Sequence, residues 1–244
     1  MTSVRLHINV DHVATVRNAR GTTYPDPTEA ALECLGAGAD GITAHLREDR
    51  RHIRDEDVER IRAAAGQTFN LEMAATEEMV KIALRVRPDV VTLVPERREE
   101  RTTEGGLDVV GGGAALRKHV AALREAKIRV SLFVAADAAQ IDAAKALGVE
   151  QVELHTGDYA HAEGSATARE LRRLGEGARH AHQAGLEVAA GHGLTQENVP
   201  LLVRIPEIVE LNIGHAVVAD ALFVGLRGAV LAMRRAIDSQ RDDT

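Results

Sequence analysis

Short runs along this chain alternate apolar and polar positions, and several end on a histidine or carboxylate just before a glycine-rich or charged turn. In the first, Leu6, Ile8 and Val10 alternate with His7, Asn9 and Asp11. In the second, Ile42, Ala44 and Leu46 alternate with Thr43, His45 and Arg47. In the third, Leu71 and Met73 alternate with Asn70 and Glu72. Successive side chains of a strand point to opposite faces. Each run therefore has one oily face and one face whose titratable groups gather near its C-terminal end. Burying such groups side by side is costly unless they are paired or used in chemistry.

The same pattern predicts eight strands, over residues 4–11, 40–46, 68–73, 89–94, 129–134, 151–155, 187–191 and 208–213. Helical periodicity falls between and after them, over 26–38, 55–66, 76–87, 112–127, 137–147, 166–185, 195–204 and 217–238. Strands alternating with helices build βαβ units and a parallel sheet. Eight such units in a chain of this length specify an α/β fold, a (β/α)8 TIM barrel forming a single domain over residues 1–244. The alternative is an open doubly wound sheet. That fold usually carries a Gly-rich dinucleotide turn after its first strand, where this chain has Asp11, His12 and Val13. Gly38, Gly148 and Gly185 precede strands at positions where a helix should end in a left-handed turn. The segments 12–25 and 95–111 are longer than a barrel needs, and both are expected on its C-terminal face as binding loops or lids.

Composition narrows the function. The chain has 244 residues, 45% apolar and 27% charged, with no apolar run long enough to cross a membrane. The first strand starts within a few residues of Met1, which leaves no room for a signal peptide. A lone Cys34 precludes an internal disulfide and fits a cytoplasmic location. The net charge of −7 and the absence of tryptophan argue against a nucleic-acid partner.

Candidate chemistry follows from the strand ends. His45, Glu72 and His192 fall at or just past the ends of the second, third and seventh strands, where barrel enzymes place their active sites. Histidine transfers protons near neutral pH, and a partly dry glutamate can be tuned into the same range. Glu153, on the sixth strand, joins them one step deeper, with His155 beyond it. The turns Gly191-His192-Gly193 and Asn212-Ile213-Gly214-His215 each end a strand and open a helix. Glycine lets backbone N–H groups approach an anion, and the loops after strands 7 and 8 are a frequent phosphate site in barrels. Arg47, in the basic run Arg47, Arg50, Arg51 and His52, shares the inward face with His45 and suits a second phosphate or a carboxylate.

The four lysines, Lys81, Lys118, Lys127 and Lys145, lie away from strand C-termini, which disfavours a Schiff-base lysine. A metal hydrolase built on His45, Glu72, His192, His215 and Asp11 remains open on residue types alone. A phosphate-sugar sensor would need Arg47 and the glycine turns, but not His45, Glu72 and His192 together.

Several longer strings carry a resemblance. Asn9-Val10-Asp11-His12 is followed by Arg17-Asn18-Ala19-Arg20-Gly21, and His45 leads into Arg47 through His52. Further on come Asn70-Leu71-Glu72-Met73, Thr102 through Asp108, Gly191 through Thr195, and Glu210 through His215. Together they resemble the pyridoxine 5′-phosphate synthase family over almost the whole chain, with no departure at that family's functional positions. The resemblance implies condensation of 1-deoxy-D-xylulose 5-phosphate with 3-amino-2-oxopropyl phosphate to pyridoxine 5′-phosphate, phosphate and water, in vitamin B6 biosynthesis. It implies His45 and Glu72 as proton acceptors, His192 as proton donor and Glu153 as transition-state stabiliser. Asp11, His12, Arg47, His52 and Thr102 would hold the deoxyxylulose phosphate. Asn9, Arg20, Gly193, Gly214 and His215 would hold the aminooxopropyl phosphate. It further implies two phosphorylated small-molecule substrates, no cofactor and no metal, and a homo-octamer in which Arg20 reaches a neighbouring subunit's site.

Overall fold

The computed structural model describes residues 3–66, 68–96 and 105–239. The strands are β1 (Arg5–Asn9), β2 (Gly41–His45), β3 (Thr68–Ala74), β4 (Val90–Val94), β5 (Arg129–Val134), β6 (Gln151–His155), β7 (Glu187–Gly191) and β8 (Ile208–Ile213). They pair in parallel in chain order, and β8 returns to β1 to close the barrel. The predicted strands are therefore all present, with ends shifted by a residue at most in seven of them and by one and two residues at the two ends of β1. The α/β barrel expected from the pattern is the fold.

The two faces of each strand take opposite roles. Leu6, Ile8, Ile42, Leu71, Met73, Leu93, Leu132 and Leu154 are completely buried in the apolar core. The alternate, polar positions point into the barrel, as bonds that skip a strand require. Thr43 on β2 donates to the Asn212 side chain on β8 at 2.9 Å. Asn212 donates in turn to Glu153 on β6 at 2.9 Å. Buried polar groups persist when paired in this way. At the N-terminal end, Arg5 donates to Glu210 at 3.0 Å, Gln151 donates to Glu210 at 3.3 Å, and Arg129 pairs with Glu187 at 2.6 Å. This network fills the bottom of the barrel and leaves the opposite end open.

The outer helices follow local rules. They include α2 (Pro27–Gly36), α3 (Asp55–Ala64), α4 (Glu77–Val86), α5 (Gly113–Glu125), α6 (Ala138–Leu147) and α8 (Ser165–Gln183). Asp26 caps α2 by accepting from the Thr28 N–H at 2.8 Å, with Pro27 at the first helical position. In α4, Met79, Val80, Ile82 and Ala83 form the buried stripe. Gly148 ends α6 at φ 80°, as the sequence pattern asked.

Three expectations change. The segment read as a long loop after β1 holds the helix α1 (Asp11–Arg20). Its buried Asp11, Ala14 and Arg17 are spaced by three residues on one face, but few of its residues are apolar, so the hydrophobic pattern missed it. Arg17 grips Asp57 through two hydrogen bonds, of 2.6 and 2.8 Å, and fastens α1 to α3 rather than binding in the site. The helix expected over 217–238 is two, α10 (His215–Val224) and α11 (Leu226–Asp238), separated at Gly225. The helix expected over 195–204 shrinks to α9 (Val199–Leu202), where Pro200 lacks an N–H and the turn before it is closed by Asn198 accepting from the Thr195 N–H at 2.8 Å. One further short helix, α7 (Gly157–Ala160), follows β6.

Candidate active site

The C-terminal mouth of the barrel opens into a cavity of about 1010 Å³. Of the residues expected in the site, Asn9, Asp11, His12, His45, Arg47, His52, Glu72, Glu153, His192, Gly193, Gly214 and His215 all line it. Arg20 does not; it stands exposed at the end of α1. Thr102 lies outside the described residues, as do residues 97–104 of the segment 95–111 expected to act as a lid.

The barrel register brings the acid–base groups together. His45 and Glu72 are direct partners across the β2–β3 pair. His45 Nδ1 lies 3.9 Å from the Glu72 carboxylate. The Asn9 side-chain amide donates to both Asp11, at 2.9 Å, and Glu72, at 3.4 Å. The other Asp11 oxygen accepts from the His45 backbone N–H at 2.8 Å. Burial, then the nearby Glu153 and Asp11 charges, push the Glu72 carboxyl well above the usual carboxylate range. Burial and Glu210 raise Glu153 to about 8, against the opposing hydrogen bond from Asn212. At about 8, the Glu153 carboxyl holds its proton at neutral pH.

Gly191 makes room for Glu153, because a Cβ there would overlap the Glu153 carboxylate and come within 3.0 Å of the Asn212 carbonyl. The next residue, His192, has φ 86°, a left-handed backbone unusual for a side chain of its size. Thr156, just past β6, holds it there. Its buried hydroxyl lies 2.7 Å from the Gly191 carbonyl and 2.6 Å from the His192 carbonyl. The His155 ring packs against that of His192 with centroids 5.1 Å apart. Burial, then His192, bring His155 down to about 4, so it sits neutral beside the candidate proton donor.

Two features suit anions. At the end of β8, Gly214 opens α10, whose first residues His215 and Ala216 line the cavity with the positive end of the helix dipole. His12 meets His215 edge to face at 5.0 Å. At the end of β7, the short α9 begins well past Gly193, so that turn offers backbone N–H groups but no comparable dipole. Just past β2, Arg47 is 3% exposed and lines the cavity with His45 and His52. Burial lowers both His12 and His52 below the usual histidine range.

Asp11, His45 and Glu72 also bring one ligand atom each within 4.8 Å of one another, a group able to hold a divalent ion.

One side chain in contact with the candidate site escaped the sequence reading. Glu96, two residues past β4, sits with its carboxylate 2.7 Å from His45 Nε2. The alternation Thr92, Val94, Glu96 carries it onto the inward face. The expected strand ended at residue 94, which hid that continuation.

The fold and this rim of acids, bases and anion contacts define a (β/α)8-barrel enzyme. Residues 6–239 match the model of the family described as "Pyridoxal phosphate biosynthesis protein PdxJ", and the chain belongs to that family. A protein of Rhodopseudomonas palustris named pyridoxine 5′-phosphate synthase is 56% identical, over 98% of this chain and 95% of its own. A protein of Xanthobacter autotrophicus with the same name is 58% identical, over 98% and 94%. Among solved structures, phosphoribosyl anthranilate isomerase from Thermus thermophilus shares the fold at a TM-score of 0.62 and 16% identity, over 96% of this chain and 98% of its own. A 3-hexulose-6-phosphate synthase does so at 0.59 and 19%, over 95% and 99%.

Proposed function

We propose that this chain is a pyridoxine 5′-phosphate synthase. It condenses 3-amino-2-oxopropyl phosphate with 1-deoxy-D-xylulose 5-phosphate to pyridoxine 5′-phosphate, phosphate and water. The observation that carries this reading is 56–58% identity to proteins of that name across 98% of the chain. The geometry supports it. Two phosphorylated substrates need two anion contacts, and Arg47, past β2, and the Gly214–His215 helix start, past β8, both line one cavity. The amine of one substrate forms an imine with the ketone of the other, so no enzyme lysine is needed. The dehydrations and tautomer shifts that close the ring need proton donors and acceptors, and His45, Glu72 and His192 supply them. Glu153 stabilises charge deeper in the mouth.

In this assignment Asp11, His12, Arg47, His52 and Thr102 hold the deoxyxylulose phosphate. Asn9, Gly193, Gly214 and His215 hold the aminooxopropyl phosphate, with Arg20 supplied by a neighbouring copy. The protein works as a homo-octamer in the cytoplasm. Exposure of Leu222, Phe223 and Val224, at 76%, 89% and 60%, supports contact between copies, because an apolar cluster of this kind marks an interaction surface. No described helix is long and apolar enough to cross a membrane.

The test is turnover of the two substrates by purified protein, with pyridoxine 5′-phosphate and inorganic phosphate both measured. Formation of both in equal amounts is expected, and formation of neither would overturn the reading. Light scattering of the same sample reports the oligomer.

A further inference from the structure

We infer that Glu96 is a positioning residue for the base His45, holding the imidazole in the Nε2–H tautomer so that Nδ1 receives the proton. This rests on the reading of His45 as a proton acceptor. His45 lies between two carboxyl groups. Its Nε2 is 2.7 Å from Glu96 Oε1, and its Nδ1 is 3.9 Å from Glu72 Oε2. The first is a full hydrogen bond and the second is not. The side chains of His45 and Glu96 are only 6% and 4% exposed.

Glu96 is itself fixed. Its second oxygen accepts from the Glu48 backbone N–H at 3.1 Å, tying the end of β4 to the loop after β2. Burial opposes its ionisation, yet the hydrogen bond to His45 and the bond from Glu48 keep its carboxyl below the usual range. The Glu72 carboxyl is raised. Of the two neighbours, Glu96 is therefore the anion, and an anion accepts but cannot donate a hydrogen bond. The proton on Nε2 consequently belongs to the ring. The lone pair on Nδ1 faces the side of the cavity where Glu72 and the substrate lie. When His45 acts, the new N–H bond forms at Nδ1 and the substrate keeps the electron pair of the bond it loses. Nε2 keeps its proton, and Glu96 stabilises the resulting imidazolium without becoming protonated. A histidine oriented by a buried carboxylate follows the same logic as the base of a catalytic triad.

Glutamine at position 96 cannot reproduce both contacts. The carboxylate accepts from two N–H groups at once, and an amide has a single oxygen for that purpose. Either Glu48 or His45 then faces the NH₂ group, and in the second case the ring is driven to the opposite tautomer. Glu96→Gln and Glu96→Ala should lower kcat by roughly 10²-fold, the scale of one general acid–base contribution. KM for both substrates should change by less than about threefold, because Glu96 does not line the cavity wall that meets the phosphates. Glu96→Asp keeps the charge and should recover part of the loss.

The decisive readout is the imidazole ¹⁵N shifts of the wild-type protein, with His45 identified by the signal lost in His45→Ala. A protonated Nε2 and a bare Nδ1 are expected. The opposite tautomer would overturn the inference even if the Glu96 variants fail to fold. Folded Glu96→Ala with near wild-type kcat, beside an inactive His45→Ala, would overturn it alone. An active His45→Ala would remove His45 from the base role, and this inference with it.

Discussion

Glu153→Gln should make the protein more stable at neutral pH while removing most of its activity. Glu153 is 2% exposed, and burial together with Glu210 raises its carboxyl from an ordinary 4.5 to about 8. The folded state therefore holds the proton more tightly than the unfolded chain does. Below about pH 4.5 the carboxyl is protonated in both states and costs nothing. As the pH rises, the unfolded chain releases the proton while the fold retains it, and the stability falls. The loss grows up to about pH 8 and is constant beyond it. At about 1.36 kcal/mol per pH unit, the cost at pH 7 is about 3 kcal/mol. Glutamine carries no titrating group, and its carbonyl can still accept the hydrogen bond that Asn212 gives to Glu153 at 2.9 Å. Urea denaturation between pH 5 and 8 should show wild-type stability declining with pH more steeply than that of the variant. The two should differ at pH 7 by roughly 1 M or more in midpoint. Turnover should fall by roughly 10²-fold, since a carboxyl at the reacting centre is lost. Parallel pH profiles for the two proteins would refute the reasoning, because Glu153 would then be an ordinary carboxylate in the fold.

Glu72→Gln should keep the fold, being nearly isosteric, and lose roughly 10²–10⁴-fold in kcat in steady-state assays; turnover near that of wild type would take Glu72 out of the mechanism. Arg47→Ala should weaken deoxyxylulose phosphate by roughly 1.5–3 kcal/mol, the worth of a charge-assisted hydrogen bond, with far less effect on the aminooxopropyl phosphate. Equal weakening of both, measured by calorimetry, would mean that Arg47 does not separate the two substrates. Thr156→Val removes the hydroxyl that holds the Gly191 and His192 carbonyls and should cost roughly 1–3 kcal/mol of stability along with a loss of kcat. Thr156→Ser should restore both, and failure of serine to do so would show that the methyl group, not the hydroxyl, matters.

Much of this molecule was legible without coordinates. Period-2 runs located every strand because each strand has one face on the helices and one in the barrel, and that split is written into Leu6 against His7 or Leu71 against Glu72. The rim positions of His45, Glu72 and His192 followed from the same alternation. Helix α1 was missed because an Asp, His and two Arg interrupt its apolar stripe. It is held by Arg17 on Asp57, a contact between residues 40 apart in the chain. Sequence alone also showed that titratable groups gather near the C-terminal ends of several strands. What the tertiary structure decided was which of them would meet. Closing eight strands into a ring sets Glu96 on His45, Asn212 on Glu153 and Thr156 under His192, although those partners lie 51, 59 and 36 residues apart. Their protonation depends on those meetings, because in a dry barrel mouth a carboxyl keeps or loses its proton according to which neighbour faces it. Glu96 and Glu72 are the same residue type beside the same histidine, and the packing around each shifts one carboxyl below the usual range and the other well above it.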